Sequence, residues 1–188
     1  MTGAESAQGQ KPAVRWALWL PLGLFALFLV LVLFGLFRPA DREIQSAMIG
    51  KPLPAFVLEP AVADRPGLSG TDFADGTPRL LNIFASWCIP CAVEAPQLEA
   101  LRAQGVEIHG VAIRDRSEDV AAFLDRHGNP FVRIGKDDVS AVQLGIGSSG
   151  VPETFVIDGD GVIRHQHIGV IDQRDVPGLL EKLREAGL

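Results

Sequence analysis

The feature that most constrains the fold is segment 80–91, in which a strand pattern runs directly into a pair of cysteines. Residues 80–85 are apolar apart from Asn82, and such a run is typical of a strand buried on both faces of a sheet. Residues 92–104 carry apolar side chains at helical spacing, and Gly105 follows as a stop. The sequence therefore predicts that a central strand delivers Cys88 to the start of a helix.

The remaining patterns alternate between strand and helix. Residues 158–161 read Asp-Gly-Asp-Gly between two apolar runs, which predicts a hairpin, and residues 59–78 predict only turns. Strands are predicted at 56–58, 106–113, 131–134, 154–157 and 162–168, and helices at 117–128 (with Ser117 as its cap), 137–144 and around 176–183. This order predicts an α/β fold with a mixed sheet flanked by helices on both faces.

A second feature lies near the N-terminus, where residues 16–37 form a run of 22 residues without a charge. A bilayer core requires roughly 20 apolar residues in a helix, whereas a cleaved signal peptide usually has a shorter apolar stretch. We therefore predict a transmembrane anchor at 16–37, with a cleaved signal as the alternative. The predicted organisation is a cytoplasmic tail at 1–15, the anchor, a tether at 38–50 and a folded domain at 51–188.

The charges around the predicted anchor do not settle its orientation, because Lys11 and Arg15 are nearly balanced by Arg38, Arg42 and Lys51. A short polar tail is more natural on the cytoplasmic side. This places the domain in the periplasm and the anchor in the inner membrane.

The charge balance also bears on partners. The chain has 17 Lys and Arg against 23 Asp and Glu, a net charge of -6. No segment gathers the basic residues into a block that follows a phosphate backbone. We expect no nucleic-acid partner.

The chain has only two cysteines, Cys88 and Cys91. A bridge across two residues restrains the unfolded chain little, so the pair suits a bond that is made and broken. Structural zinc requires four ligands, and copper binding with His165 or His167 is the other metal reading, because soft thiolates favour Cu(I). We predict redox exchange without a cofactor or bound metal.

The expected position gives the two sulfurs different roles. Free N–H groups at a helix start favour a thiolate, which makes Cys88 the attacking sulfur. Cys91, one turn further along, then resolves the mixed disulfide formed with a substrate. Trp87 and Pro90 are predicted to shape the substrate surface around Cys88, with simple packing as the alternative.

These residues resemble thioredoxin. The match covers LLNIFASWCIPC at 80–91, Pro96 where that fold kinks its helix, and Val-Pro-Glu-Thr at 151–154. The resemblance implies that Pro152 is cis and faces the dithiol. It also implies that Val151 offers backbone hydrogen bonds to an incoming chain.

Several departures from thioredoxin narrow the family. Asn82 stands where thioredoxin has a buried aspartate that accepts a proton, and more than 20 additional residues follow the strand that ends near Ile113. Together with GKPLPAFVL at 50–58, GVPETF at 150–155 and Glu94, these features resemble the membrane-anchored CcmG/DsbE-type proteins of cytochrome c maturation. The implied fold is a thioredoxin-like mixed sheet flanked by helices, with a central insert and one N-terminal transmembrane helix.

This resemblance implies a thiol:disulfide oxidoreductase that takes electrons from a membrane disulfide-relay protein. Its expected partner is apocytochrome c, or the maturation protein that holds it, before haem attachment. Glu94 and Glu153 are the candidates to replace the missing proton acceptor, with ordinary surface charge as the alternative. Two other functions remain open: an anchored thioredoxin for another client, such as the copper centre of an oxidase, and a Cys/His copper chaperone.

Overall fold

The computed structural model describes residues 13–36 and 46–187, and the chain divides into two compact units, 1–42 and 43–188. In the first unit, Ala13–Leu36 forms helix α1. No helix within the described residues meets the length and apolar character of a membrane span, so the predicted anchor at 16–37 is not confirmed. Most of the predicted tail, and residues 38–45 of the tether, lie outside the described residues.

The second unit contains seven strands and four α-helices in its described residues. The strands are β1 (Val57–Leu58), β2 (Leu68–Ser69), β3 (Arg79–Phe84), β4 (Ile108–Ile113), β5 (Arg133–Asp137), β6 (Glu153–Ile157) and β7 (Ile163–Ile168). The helices are α2 (Ile89–Ala103), α3 (Ser117–His127), α4 (Ala141–Gly145) and α5 (Val176–Ala186), and a 3₁₀ turn spans Gly70–Phe73.

Five strands form one mixed sheet in the order β5-β4-β3-β6-β7. Strand β3 pairs in parallel with β4 and antiparallel with β6. All residues of β3 are buried, as expected for an apolar strand at the centre of a sheet covered on both faces. The predicted α/β class and mixed sheet are confirmed.

Helices α2 and α3 cover one face of the sheet. The ring of Phe84 on β3 stacks on Phe131 at 4.8 Å and lies 6.0 Å from Phe123 of α3. Helix α3 and strand β5 form the predicted central insert, so the insert adds one helix to this face and one strand to the sheet. The aromatic cluster joins it to the central strand.

The N-terminal part of the unit protects both edges of the sheet. Gly50 N donates to Ile163 O on β7, at 2.7 Å. At the other edge, Ala61 N donates to Ile134 O on β5, at 2.9 Å. Edge strands with free backbone groups invite aggregation, and these hydrogen bonds satisfy some of the backbone groups of β7 and β5.

The structure corrects several local predictions. Ser117 does not cap α3, because the cap position is Arg116 and no side chain bonds there. Segment 59–78 contains β2 and the 3₁₀ turn in addition to turns. Helix α4 begins at Ala141, later than predicted, since the carboxylate of Asp137 accepts the N–H groups of Ala141, Val142 and Gln143 from the end of β5.

Candidate active site

The two cysteines form a disulfide at the start of α2. Cys88 is the cap residue of the helix, and the sulfurs of Cys88 and Cys91 are bonded. The N–H of Cys91 donates to the Cys88 sulfur at 3.1 Å. Both residues are buried, Cys88 at 4% exposure and Cys91 at 2%. A sulfur that already accepts a helix N–H is favoured as a thiolate once the disulfide is reduced.

The loop before Cys88 is held by the residues that follow β4. The carboxylate of Asp115 accepts hydrogen bonds from Ser86 N, from Ser86 Oγ at 2.8 Å and from Arg116 N at 2.9 Å. The indole of Trp87 donates to the carbonyl of Arg114 at 3.3 Å. These contacts fix the dithiol loop against the carboxyl end of the parallel strand β4.

The Val151–Pro152 peptide bond is cis, as predicted. Register places it beside the dithiol loop, because Glu153 pairs with Ile83 near the end of β3. Pro152 is buried and Val151 is half-buried. The structure therefore brings both residues to the end of the sheet at which β3 finishes and the dithiol loop begins.

Glu153 supports the loop that carries the cis proline. One oxygen of its carboxylate accepts bonds from Ser149 N, Ser149 Oγ and Gly150 N, and the other accepts from Gln166 Nε2 at 2.8 Å. Gln166 in turn accepts from the backbone of Ser46. Four donors satisfy this buried carboxylate, and the network ties the loop to β7 and to the start of the unit.

Glu94, on α2, is a buried carboxyl group in a different environment. It is 0% exposed, and its oxygens accept bonds from Asn82 Nδ2 at 2.9 Å and Ile171 N at 3.1 Å. Burial raises the pKa of Glu94 to about 7, and these two hydrogen bonds oppose the rise. Near neutral pH this carboxyl therefore both holds and releases a proton.

Asn82 connects Glu94 to the sheet, since its amide nitrogen also donates to Thr154 Oγ1 at 2.9 Å. Asn82 and Thr154 are paired residues on β3 and β6, so their side chains share the face covered by α2. Glu153 precedes Thr154 on the strand and points to the opposite face. The two predicted acidic candidates thus lie on different faces, and only Glu94 lies on the face of α2.

A small cavity joins Glu94 to the dithiol. Its volume is about 10 Å³, close to the room that one water molecule needs. Its lining includes Cys91, Glu94, Asn82 and the aromatic residues Phe84, Phe123 and Phe131.

An exposed apolar patch surrounds the buried sulfurs. Trp87 is 56% exposed, Ile89 79% and Val93 62%, and Pro90 is also exposed. Large apolar side chains grouped at the surface mark a contact site for another molecule. The predicted substrate residues Trp87 and Pro90 both belong to this patch.

The two histidines of the copper alternative lie on β7, where His165 pairs with Val156 and His167 with Thr154. His167 Nε2 lies 3.3 Å from the carbonyl of Val170. Across ranges 13–36 and 46–187, no three His, Cys, Asp or Glu side chains are grouped so as to hold a metal ion.

Three residues of the site were not predicted from the sequence. Arg114 and Asp115 follow β4 directly, and their place after a parallel strand was the available signal, because ligands of α/β folds bind at the carboxyl ends of the strands. Gln166 on β7 is buried at 2% exposure, whereas the residues on either side of it are half-buried. Its partner Glu153 lies across the hairpin, and the bond between them depends on the register of the two strands, which no local pattern indicated.

The known proteins that this chain resembles agree with the dithiol geometry of the site. A family model described as Redoxin matches residues 48–183. The chain is 42% identical over 159 residues to a thiol:disulfide interchange protein DsbE of Pseudomonas fluorescens biotype C, across 85% of this chain and 88% of the relative. It is 40% identical over 146 residues to the thiol:disulfide interchange protein HelX of Rhodobacter capsulatus, across 78% and 82%.

A solved structure of a DsbE thiol:disulfide interchange protein from Chlorobium tepidum superimposes with a TM-score of 0.63. The alignment covers 74% of this chain and 98% of that one, at 24% identity. At this identity the likeness demonstrates the thioredoxin-like fold.

Proposed function

The chain belongs to the redoxin family and, within it, to the DsbE/HelX thiol:disulfide interchange proteins, and we propose that it reduces the disulfide of apocytochrome c, or of the maturation partner that holds it, before haem attachment. The observation that carries this proposal is the Cys88–Cys91 disulfide at the start of α2. The client is supported by the CcmG/DsbE resemblance described for the sequence.

The exchange proceeds in two steps. The Cys88 thiolate attacks one sulfur of the client disulfide, which forms a mixed disulfide and releases the other client sulfur as a thiolate that takes up a proton. The Cys91 thiolate then attacks the Cys88 sulfur, which closes the Cys88–Cys91 bond and releases the second client thiolate. Two electrons pass from the dithiol to the client.

Glu94 accepts the proton that Cys91 must lose before the second step. A carboxyl whose pKa is about 7 is suited to this task, because a general base works best when its pKa lies near the working pH. The cavity that both residues line provides a path through one water molecule. Glu153, with four hydrogen-bond donors on its carboxylate, instead positions the loop of Pro152.

The client chain docks on the apolar patch of Trp87, Ile89, Pro90 and Val93. Val151 lies beside the dithiol loop, where its backbone is available to pair with an extended client segment. Pro152 has no N–H and contributes shape to this surface.

We further propose that the domain faces the periplasm from an inner-membrane anchor at 16–37, and that a membrane disulfide-relay protein returns it to the dithiol form. The supporting observation is the uncharged run of 22 residues in the sequence. Extraction of membranes with alkaline carbonate tests the anchor. The full chain should stay in the membrane pellet, whereas its release into the supernatant contradicts the anchor but leaves the redox proposal intact.

The direct test of the client is to trap mixed disulfides in the native cell with Cys91→Ser, which retains the attacking sulfur and lacks the resolving one. We expect covalent complexes with cytochrome c or its maturation proteins, and none with Cys88→Ser as the matched control. Recovery of copper-oxidase components alone would assign the chain to the other class of client. Copper titration of the reduced chain tests the chaperone alternative.

A further inference from the structure

Beside the dithiol loop lies an open cleft of about 440 Å³ that the exchange mechanism does not use. Ser86 and Trp87 form one wall, residues 114–116 form the floor, and α3 forms the other wall with Phe123 and Arg126. Its volume falls in the range of sites that hold small molecules or side chains of a bound chain. The cleft adjoins the surface on which the client must dock.

The cleft is basic in a chain that is acidic overall. It is lined by Arg114, Arg116 and Arg126 against Asp115 and Asp119, which is three positive and two negative charges, or +1, in a chain of net charge -6. Asp115 is already occupied by the hydrogen bonds from Ser86 and Arg116. The oxygens of Asp115 are therefore occupied by contacts within the fold, while its charge is counted in the sum of +1.

The three guanidinium groups differ in what holds them. Arg116 forms an exposed ion pair with Glu118 at 3.6 Å. The guanidinium of Arg126 has no hydrogen bond or ion pair with any residue in the described part of the chain. Arg126 is thus available to a ligand without breaking an existing contact.

Arg114 is held in place by contacts of both its backbone and its side chain. Its φ angle is 46°, in the left-handed region that side chains other than glycine rarely adopt. Its N–H donates to Asp137 O at 3.1 Å, and its Nε donates to Ser140 Oγ at 2.9 Å. Its carbonyl also accepts from the Trp87 indole, so Arg114 joins the floor of the cleft to the Trp87 wall. The terminal nitrogens of Arg114 form no hydrogen bond or ion pair with any described residue.

From this arrangement we propose that the cleft is a specificity site that selects client polypeptides with a carboxylate side chain next to their reactive disulfide. This inference rests on the proposed function. The planar guanidinium groups of Arg114 and Arg126 match a carboxylate in shape and charge. Trp87, which is 56% exposed, and the exposed Ala122 supply apolar surface for the adjoining part of the client chain. Continuity with the dithiol loop places the carboxylate within a few residues of the client sulfur.

The test compares short peptides that contain one disulfide and differ only in the residue before the first cysteine, which is Glu, Gln or Lys. The reduced full chain in detergent micelles is mixed with each peptide, and oxidation of its dithiol is followed after acid quenching. We expect the Glu peptide to react about fivefold faster than the Gln peptide, the size of effect that one exposed charge pair supplies, and the Lys peptide to be slowest. Added salt should reduce the difference.

Arg126→Glu should abolish or reverse the preference for the Glu peptide. The control is Arg184→Glu, which makes the same charge change on exposed α5 and should leave the preference intact. Equal rates for the Glu and Gln peptides, or equal losses in both variants, would overturn the proposal. Oxidation by uncharged 2-hydroxyethyl disulfide should proceed at the same rate in the wild type and in Arg184→Glu. A wild-type dithiol that this reagent does not oxidise would instead count against the redox function itself.

Discussion

At the scale of single residues, the buried carboxyl of Glu94 makes the redox chemistry depend on pH. Its pKa of about 7 arises from burial, and among the residues that the structure describes only Cys91 is a second titratable side chain lining its small cavity. The ionisation of the carboxyl should therefore control the resolving step.

We predict that Glu94→Gln slows resolution of a mixed disulfide by about 10²-fold, the lower range for proton transfer by a positioned side chain. The rate should also lose its step near pH 7. The measurement is the rate of thiol release from a preformed mixed disulfide at Cys88, followed from pH 5 to 9. Glu153→Gln is the control and should retain the step, because that carboxylate lies on the other face of the sheet. Identical pH profiles for the wild type and Glu94→Gln would remove the role of Glu94.

His109 on β4 is a second buried titratable residue, distant in sequence from the dithiol. It is 1% exposed, and its ring meets Phe73 edge-on at 5.1 Å. Burial, followed by repulsion from Arg79, lowers the pKa of His109 to about 4. The ring is therefore neutral at pH 7, and its contact with Glu107 at 3.3 Å is not an ion pair there.

This depressed pKa predicts a loss of stability in acid. The unfolded histidine binds a proton near pH 6.5 and the folded one only near pH 4, so the stability is full above 6.5 and falls as pH drops toward 4. The loss at pH 4 is about 3 kcal/mol. His109→Phe keeps the ring contact and should unfold in urea at a higher concentration than wild type at pH 4, with a smaller difference at pH 7. An equal difference at both pH values would contradict this assignment.

At the scale of elements, the strands that position the dithiol were predictable because their apolar runs are continuous. Strand β3 was placed within one residue, and the two strands of the hairpin at 158–161 were also placed within one residue. The start of α4 was not predictable, because Asp137 at the end of β5 caps it from outside the helix. Strand β2 has two residues and forms only through pairing with β1, so it carries no pattern of its own.

In the site, too, some features were predictable from local sequence and others depend on contacts between strands and helices. Cys88, Cys91 and the cis bond before Pro152 followed from local motifs, while the environments of Glu94 and Glu153 depend on which face each side chain occupies. Glu94 and Glu153 were equal candidates in the sequence, and the paired strands of the structure are what place Glu153 on the face opposite Thr154, with Gln166 as its partner.

Gly110 on β4 leaves room for the stacked rings of Phe84 and Phe131, through which the insert packs against β3. A Cβ at Gly110 would lie 2.9 Å from Phe84 Cε1 and 3.1 Å from the ring of Phe131. Gly110→Ala should therefore displace this aromatic pair and lower the free energy of unfolding by about 1–3 kcal/mol.

The matched control is Gly178→Ala on α5, where a Cβ meets nothing within 4 Å. Alanine is the better helix former, so this variant should gain about 0.5–1 kcal/mol. Urea unfolding of both variants makes the comparison. No destabilisation in Gly110→Ala would mean that the aromatic pair adjusts freely to the added methyl group.

At the scale of the whole molecule, the residues of the exchange chemistry lie together at one end of the mixed sheet, where β3 and β4 finish and β6 begins. The dithiol loop follows β3, Arg114 and Asp115 follow β4, and Val151 and Pro152 precede β6. This convergence requires β3 to be parallel to β4 and antiparallel to β6. The topology thus assembles an exchange centre from segments that are distant in sequence.

This exchange centre requires that Cys88 and Cys91 pass reversibly between disulfide and dithiol and exchange with a disulfide on another molecule. The most direct measurement is a redox titration of the full chain in dithiothreitol buffers, with free thiols counted by alkylation and mass spectrometry. We predict one two-electron transition in which both thiols appear together, and a stable mixed disulfide with a peptide in Cys91→Ser but not in Cys88→Ser. A pair that stays oxidised at every potential, or thiols that never exchange with a peptide disulfide, would contradict the account.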